Sequence, residues 1–189
     1  MPYANNPFQD LRVRPTDVRQ SINWYNKQIQ NMRNLPGRVD KTIQQQGRLG
    51  IEVGGLYIFK YDPKWKHELP YYDTMPLVLP FAWAKGGFLG LNLHYLPYGW
   101  RFKLMGALLD QVQDISDPRS RAKVNWQILN AASKFPGVSP CVHHYLIDHV
   151  RSKFYNIPND QWLAAAMMPV EQFQGATKTR VFSDSRRKM

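Results

Sequence analysis

Only one of the 189 residues, Cys141, is a cysteine. A lone thiol excludes a disulfide framework and any cysteine-based zinc site within one chain. Long apolar runs are missing too: no stretch reaches the roughly 18 residues that a membrane-spanning helix needs. The start, Met1-Pro2-Tyr3-Ala4-Asn5-Asn6, lacks the basic-then-apolar pattern of an export signal, so the expectation is a basic, soluble protein that is intracellular or internal to a virion. Gly86-Gly87 has no Gly-Lys-Ser/Thr sequel, and no Gly-x-Gly-x-x-Gly occurs, which removes the common phosphate-cradling loops. Acidic residues are scarce. There are 14 against 25 Lys and Arg, a net charge of +11.

The charge is unevenly placed. Residues 1–50 hold eight cations and three acids, and residues 173–189 hold five and one. Residues 51–105 hold six and four, and residues 106–172 are balanced at six and six. Two basic ends therefore flank a nearly neutral centre. Such ends suit arms that lie on a polyanion or on an acidic neighbour; a plain solvated surface is the simpler alternative.

Length suits one compact core with arms. Residues 1–14 read as an extended arm. Pro15-Thr16-Asp17 then opens a helix, with Thr16 as its cap. Val18, Ile22, Tyr25, Ile29 and Met32 follow at helical spacing, and Pro36-Gly37 stops the stripe. Residues 38–50 fit a short helix or a linker. From Ile51 the pattern changes. Leu56–Tyr61, 76–83 and 88–95 are rich in aromatic and branched residues and punctuated by turns, which predicts strands. Pro80 cannot donate to a ladder, so its strand is bent there or lies at an edge. Leu89, Leu91, Leu93 and Tyr95 share one face of the third strand; Phe88, Gly90, Asn92 and His94 share the other. Helical patterns resume at 98–112 and at Ser116-Asp117-Pro118, which ends at Phe135-Pro136-Gly137. Ser139-Pro140 starts another, with Val142, Leu146 and Val150 on one face, and a short helix follows from Asn159 to Met168. The expectation is an α+β fold in four parts. An N-terminal arm and amphipathic helix (1–50) lead into a small, strongly bent SH3-like β-barrel (51–97). A helical region packed on the barrel (98–173) and a basic C-terminal arm (174–189) follow.

Three constellations invite chemistry. His143, His144 and His149 with Asp148 invite a metal reading, since on a helix His144 and Asp148 would share a face with His149 one step further round, but an ordinary polar surface explains them better and no metal is expected. His94 with an acid from the preceding loops (Asp62, Glu68 or Asp73) is a pair of the acid–base type. No spacing selects a nucleophile, so neither enzyme activity nor a cofactor is expected. The stretch Tyr57–Tyr61 with Lys64, Trp65 and Lys66 mixes aromatics with cations, as surfaces that stack bases and hold phosphates do. Strand alternation puts about half of those aromatics in a core. Trp65, in a turn between two lysines, is the one expected to be exposed.

A chain of blocks carries a resemblance. Gly55-Leu56-Tyr57 through Tyr61-Asp62-Pro63-Lys64, Leu69-Pro70-Tyr71-Tyr72-Asp73, Pro76-Leu77-Val78 and Gly87-Phe88-Leu89-Gly90-Leu91-Asn92-Leu93-His94-Tyr95-Leu96-Pro97 are the core of it. Cys141 to Val150, Arg151-Ser152-Lys153, Trp162 and Pro169 to Phe173 extend it, so that it covers roughly residues 45–189. The chain resembles a small basic protein family of T-even-like myoviruses, marine and cyanobacterial ones in particular, whose members are virion or DNA-associated components. The resemblance implies a protein of the virion, present in the host cytoplasm during assembly. The first expectation is a structural component of the tail, baseplate or neck, docked in multiple copies between other virion proteins through its arms. The alternative is a binding protein for packaged or terminal DNA. Either way the expected contact residues are Arg12, Arg14, Arg19, Lys64, Trp65, Lys66, Lys178, Arg180, Arg186, Arg187 and Lys188.

Overall fold

The computed structural model describes residues 8, 22–112, 114–133 and 138–187. Apart from Phe8, which is buried and stacks on Tyr155, the expected arm at 1–14 lies outside them, as do the Thr16 cap and the contact residues Arg12, Arg14, Arg19 and Lys188. The elements are α1 (Ile22–Gln30), α2 (Leu35–Gln46), β1 (Leu56–Ile58), β2 (Tyr72–Asp73), β3 (Leu77–Ala84) and β4 (Gly87–Asn92). Then come α3 (Tyr98–Val112), α4 (Pro118–Ala132), β5 (Val142–Leu146), β6 (Tyr155–Ile157), α5 (Trp162–Met167), β7 (Phe173–Gln174) and α6 (Lys178–Arg187). The fold is α+β.

The main sheet has the order β5-β4-β3-β1-β6 with every neighbour antiparallel. It is an open sheet with β5 and β6 as its edges, not the expected SH3-like barrel. Strands β5 and β6 come from the stretch predicted to be helical, and they add to opposite sides of the 56–92 strands. That widens the sheet, and helices cover one face rather than the sheet closing on itself. β5 corrects the helix expected after Ser139-Pro140. Val142 and Leu146 fit a helical spacing, but they also share one face of a strand, and pairing with Gly87–Leu91 decides for the strand.

Pro80 sits in a central strand, and the register shifts between Pro80 and Ala82. The strand is thus bent at its proline, and the Pro80 carbonyl accepts from Gly54 N–H instead of continuing a regular ladder. Pro36-Gly37 does not stop the first helix. That helix ends at Gln30, and Pro36 stands in the first turn of α2, where its missing N–H costs nothing. The expected C-terminal arm holds helix α6, which buries Val181 and Ser185.

The two faces of the sheet bury different chemistry. Leu56, Ile58, Leu77, Leu79 and Leu91 join the large core with Tyr25 and Ile29 of α1, Val39 and Ile43 of α2, Met105 and Leu108 of α3, and all of α5. Tyr57, Phe59, Tyr61, Val78, Phe88, Tyr145 and Phe154 make a second, mainly aromatic core on the opposite face. Among the described residues no helix is long and apolar enough to cross a membrane.

Candidate nucleic-acid interface

At the edge of the aromatic core, loop 61–72 and strand β5 enclose a hollow of about 230 Å³, with Tyr61 and Tyr145 from that core and Tyr71 and Tyr95 from the margin of the large one. Its wall is an arc of rings in mutual contact. Tyr61 and Tyr145 have centroids 5.0 Å apart, Tyr145 and His143 6.1 Å, His143 and Tyr95 4.4 Å, and Tyr95 and Tyr71 6.0 Å. The Tyr61 hydroxyl accepts from Leu146 N–H at 3.0 Å, and the polar neighbours of the other hydroxyls are the Asn92 side chain for Tyr145, the Asp73 backbone for Tyr95 and the Asp184 carboxylate for Tyr71. These neighbours lie on four separate elements, β5, β4, β2 and α6, and together with the ring contacts they hold the rings in place before any ligand arrives. Burial of Tyr61, Tyr95 and Tyr145 pushes their pKa values up, so the wall is uncharged at neutral pH.

Lys64, Asp73, His143 and His144 form the polar part of the lining. The Asp73 carboxylate accepts from Met75 N–H, Gln172 N–H, the Asn92 amide and His94 Nδ1, the last at 2.7 Å. Both Asp73 and His94 are buried. Burial alone would raise the Asp73 pKa, but the His94 ring and the donated hydrogen bonds outweigh it and hold it below the usual carboxylate range. The histidine–acid pair anticipated from sequence therefore exists, as His94 with Asp73. With all four acceptor positions used, it braces β2, the 92–94 turn and Gln172 together. His143 is different. Burial lowers its pKa to about 4, against the opposing effects of Asp73 and a hydrogen bond to the Pro140 backbone. The ring is thus neutral near pH 7. Its Nε2 is buried without a partner, so Nδ1 donates to Pro140 and Nε2 presents a lone pair.

A second hollow of about 690 Å³ adjoins the first, with Tyr71 common to both. Arg180, Asp184 and Arg187 of α6 line it. Gly175 makes the turn between β7 and α6. Its φ of +84° suits glycine, and a Cβ there would lie 2.6 Å from the Pro70 carbonyl oxygen. Thr177 Oγ1 accepts from Arg180 N–H at the start of α6. The helix is then pinned by Ser185 Oγ donating to the Tyr95 carbonyl at 2.9 Å and by Phe182 packing edge-on to Tyr98. That leaves Lys178, Arg180, Arg186 and Arg187 exposed. Arg180 Nε reaches Asp184 at 3.1 Å, and Lys178 Nζ lies 3.4 Å from Glu171.

The structure brings together two groups of predicted residues that are more than a hundred positions apart. Lys64 and Trp65 line the aromatic hollow, and Arg180 and Arg187 line its neighbour. Trp65 is 56% exposed, as the turn suggested, with Lys64 Nζ 4.9 Å from its ring centroid. Lys66 is turned to Asp62, its Nζ 2.8 Å from the carboxylate. Tyr71, Tyr95 and Tyr145 were not anticipated as site residues, and His143 only as a candidate metal ligand. His144, Asp148 and His149 lie on β5 and the following 3-10 turn, not on a helix. His149 Nδ1 bonds to the Asp62 carbonyl, and among the described residues no group of three His, Cys, Asp or Glu is placed to hold a metal ion.

The family model described as phage T4 terminal DNA protecting protein matches residues 12–187. The match begins well before residue 45, where the resemblance read from sequence starts. No curated protein and no solved structure matches the chain. The family description concerns DNA termini. It favours the terminal-DNA alternative over a tail, baseplate or neck component, which gains no support from it.

Proposed function

Because the chain belongs to the phage T4 terminal DNA protecting protein family, we propose that it binds the ends of phage DNA and shields them. The observation that carries this reading is the pair of hollows joined at Tyr71, one aromatic and one lined by the arginines of α6. Duplex interiors offer phosphates but no open base face. A terminus offers both. Arg180, Arg186, Arg187 and Lys64 would neutralise backbone phosphates, and exposed Trp65 would stack on the terminal pair. Phosphate contacts give affinity on any sequence, and the stacking contact adds preference for an end. Shielding then comes from occupancy of the terminus, without catalysis by this chain. The protein would act in the particle and in the host cytoplasm.

The test is binding of the full chain to a linear duplex and to the same duplex with both ends closed by hairpins. Tighter binding to open ends, falling steeply with salt, together with protection of those ends from an added exonuclease, is the expected result. Equal affinity for open and closed ends would overturn end recognition. No binding at low salt would overturn the DNA reading itself.

A further inference from the structure

We propose that the aromatic hollow beside Trp65 receives one unpaired nucleobase, so that an end with a single-stranded extension binds better than a blunt one. The inference rests on the DNA-end reading above and assigns that site its ligand. Size is the first argument. At about 230 Å³ the hollow lies below the roughly 300–1,000 Å³ of pockets for drug-sized ligands, which suits one ring system rather than a whole cofactor. Shape and chemistry are the second. The Tyr61–Tyr145–His143–Tyr95–Tyr71 arc offers ring faces and edges already held by their contacts with one another and by the bond from Leu146 N–H to the Tyr61 hydroxyl. Stacking accepts every base, because every base has a π-face.

Polarity gives the orientation. Among the described residues lining the hollow, His143 Nε2 is the buried side-chain atom left without a hydrogen-bond partner, and it is an acceptor. An unpaired base carries N–H groups on its pairing edge, freed when the strand has no complement. The Asp73 carboxylate in the same lining repels phosphate, whereas Lys64 at the rim and Arg180 and Arg187 next door attract it. A nucleotide therefore enters base first and leaves its phosphates towards α6. The same base chemistry could come from a free mononucleotide, so the experiment separates that source from a DNA end.

The experiment compares affinities of the full chain for three labelled DNAs of equal duplex length: blunt, extended by a few unpaired nucleotides, and hairpin-closed. A second readout is the fluorescence of 2-aminopurine placed in the extension. The blocking variant is Leu69→Trp, since Leu69 lines the hollow yet is 44% exposed and leaves the core intact. His143→Phe, which keeps a ring and removes the acceptor, is the second variant. The expected result is roughly tenfold tighter binding of the extended end than the blunt one, with quenching of the probe, as one stacked base provides. Leu69→Trp removes that preference and the quenching while blunt-end affinity stays within about twofold. Equal affinity for blunt and extended ends, or a preference that survives both variants, overturns the inference and leaves end binding standing. Equal affinity for all three DNAs removes end recognition as well. Saturable quenching by a free mononucleotide, without any DNA binding, overturns the DNA-end ligand and reassigns the hollow to a nucleotide.

Discussion

The two faces of the central sheet are made by the same strands and do different work. Strand β4 shows this within six residues. Leu89 and Leu91 pack towards the helices, while Phe88 packs among the aromatic rings with Gly90 and Asn92 on its face. The helical face is dominated by aliphatic side chains, closed over by α1, α3 and α5. The aromatic side carries hydroxyls whose polar neighbours come from four elements, and it holds rings around an opening. One face supplies the usual hydrophobic stabilisation. The other spends part of its packing on a shaped, partly polar hollow.

Truncating one residue on each face is the strongest way to separate them. Leu91→Ala is expected to cost about 2–5 kcal/mol and Phe88→Ala about 3–5 kcal/mol, since both side chains are fully buried. Urea unfolding measures both. The variants should differ in DNA binding. Phe88 stacks on Tyr145 at 5.5 Å, so Phe88→Ala loosens the hollow and weakens end binding in the folded protein. Leu91→Ala should leave the affinity of the folded protein unchanged. Equal affinity losses would mean that the faces are not functionally separate.

Acid should act on the aromatic face first. His143 has a folded pKa of about 4 against an ordinary 6.5, so between those values the unfolded chain takes up more protons than the folded one. Stability is therefore lost as pH falls through that window, by on the order of 3 kcal/mol at most. Asp73, held below the usual carboxylate range, gives a second loss beneath about pH 3.8 as its carboxylate is protonated. Thermal unfolding across pH checks this. His143→Phe should flatten the first step and keep the second, and an unchanged first step would remove His143 as its cause.

Much of this architecture is legible along the chain. The helix carrying Tyr25 and Ile29, the Gly86-centred hairpin, the bend at Pro80 and the exposed Trp65 all follow from local patterns, and the structure contains each, though the helix stops at Gln30 before reaching Met32. A His–Asp pair was also foreseeable, though not which acid would join His94. The hollow was not. Tyr61, Tyr71, Tyr95 and the β5 pair His143 and Tyr145 come from four stretches of chain, and no period or motif links those stretches. Strand β5 was hidden because Val142 and Leu146 satisfy both helical and strand spacing. Helix α6 was hidden because it buries little besides Val181, Phe182 and Ser185, leaving its cationic side indistinguishable from an arm.

The arginines of α6 act by charge, and rings act by contact, so salt divides them. Replacing Arg186 and Arg187 by Ala should lower affinity for all DNA ends alike. It should also reduce the slope of log affinity against log salt by about one for each lost phosphate contact. Trp65→Ala should lower end affinity with the slope unchanged. Titrations at several salt concentrations make the comparison. An unchanged slope in the double arginine variant would remove α6 from the interface.

The finest division lies within one turn. Lys64 and Lys66 flank Trp65, and sequence alone gives them equal standing. The structure does not. Lys64 lines the hollow and lies over the Trp65 ring, while Lys66 is committed to Asp62, with the Lys66 pKa raised chiefly by that hydrogen bond. An exposed ion pair of this kind is weak, yet it turns the ammonium away from an incoming phosphate. Lys64→Ala is therefore expected to weaken end binding about threefold and to reduce the salt slope by about one. Lys66→Ala should change neither by more than about the scatter of the titration, because its charge is already neutralised locally. Asp62→Asn sharpens the point: with its partner removed, Lys66 becomes available, and end affinity should rise slightly. If Lys66→Ala weakens binding as much as Lys64→Ala, the turn acts as a diffuse basic patch and the orientation of its two lysines is irrelevant.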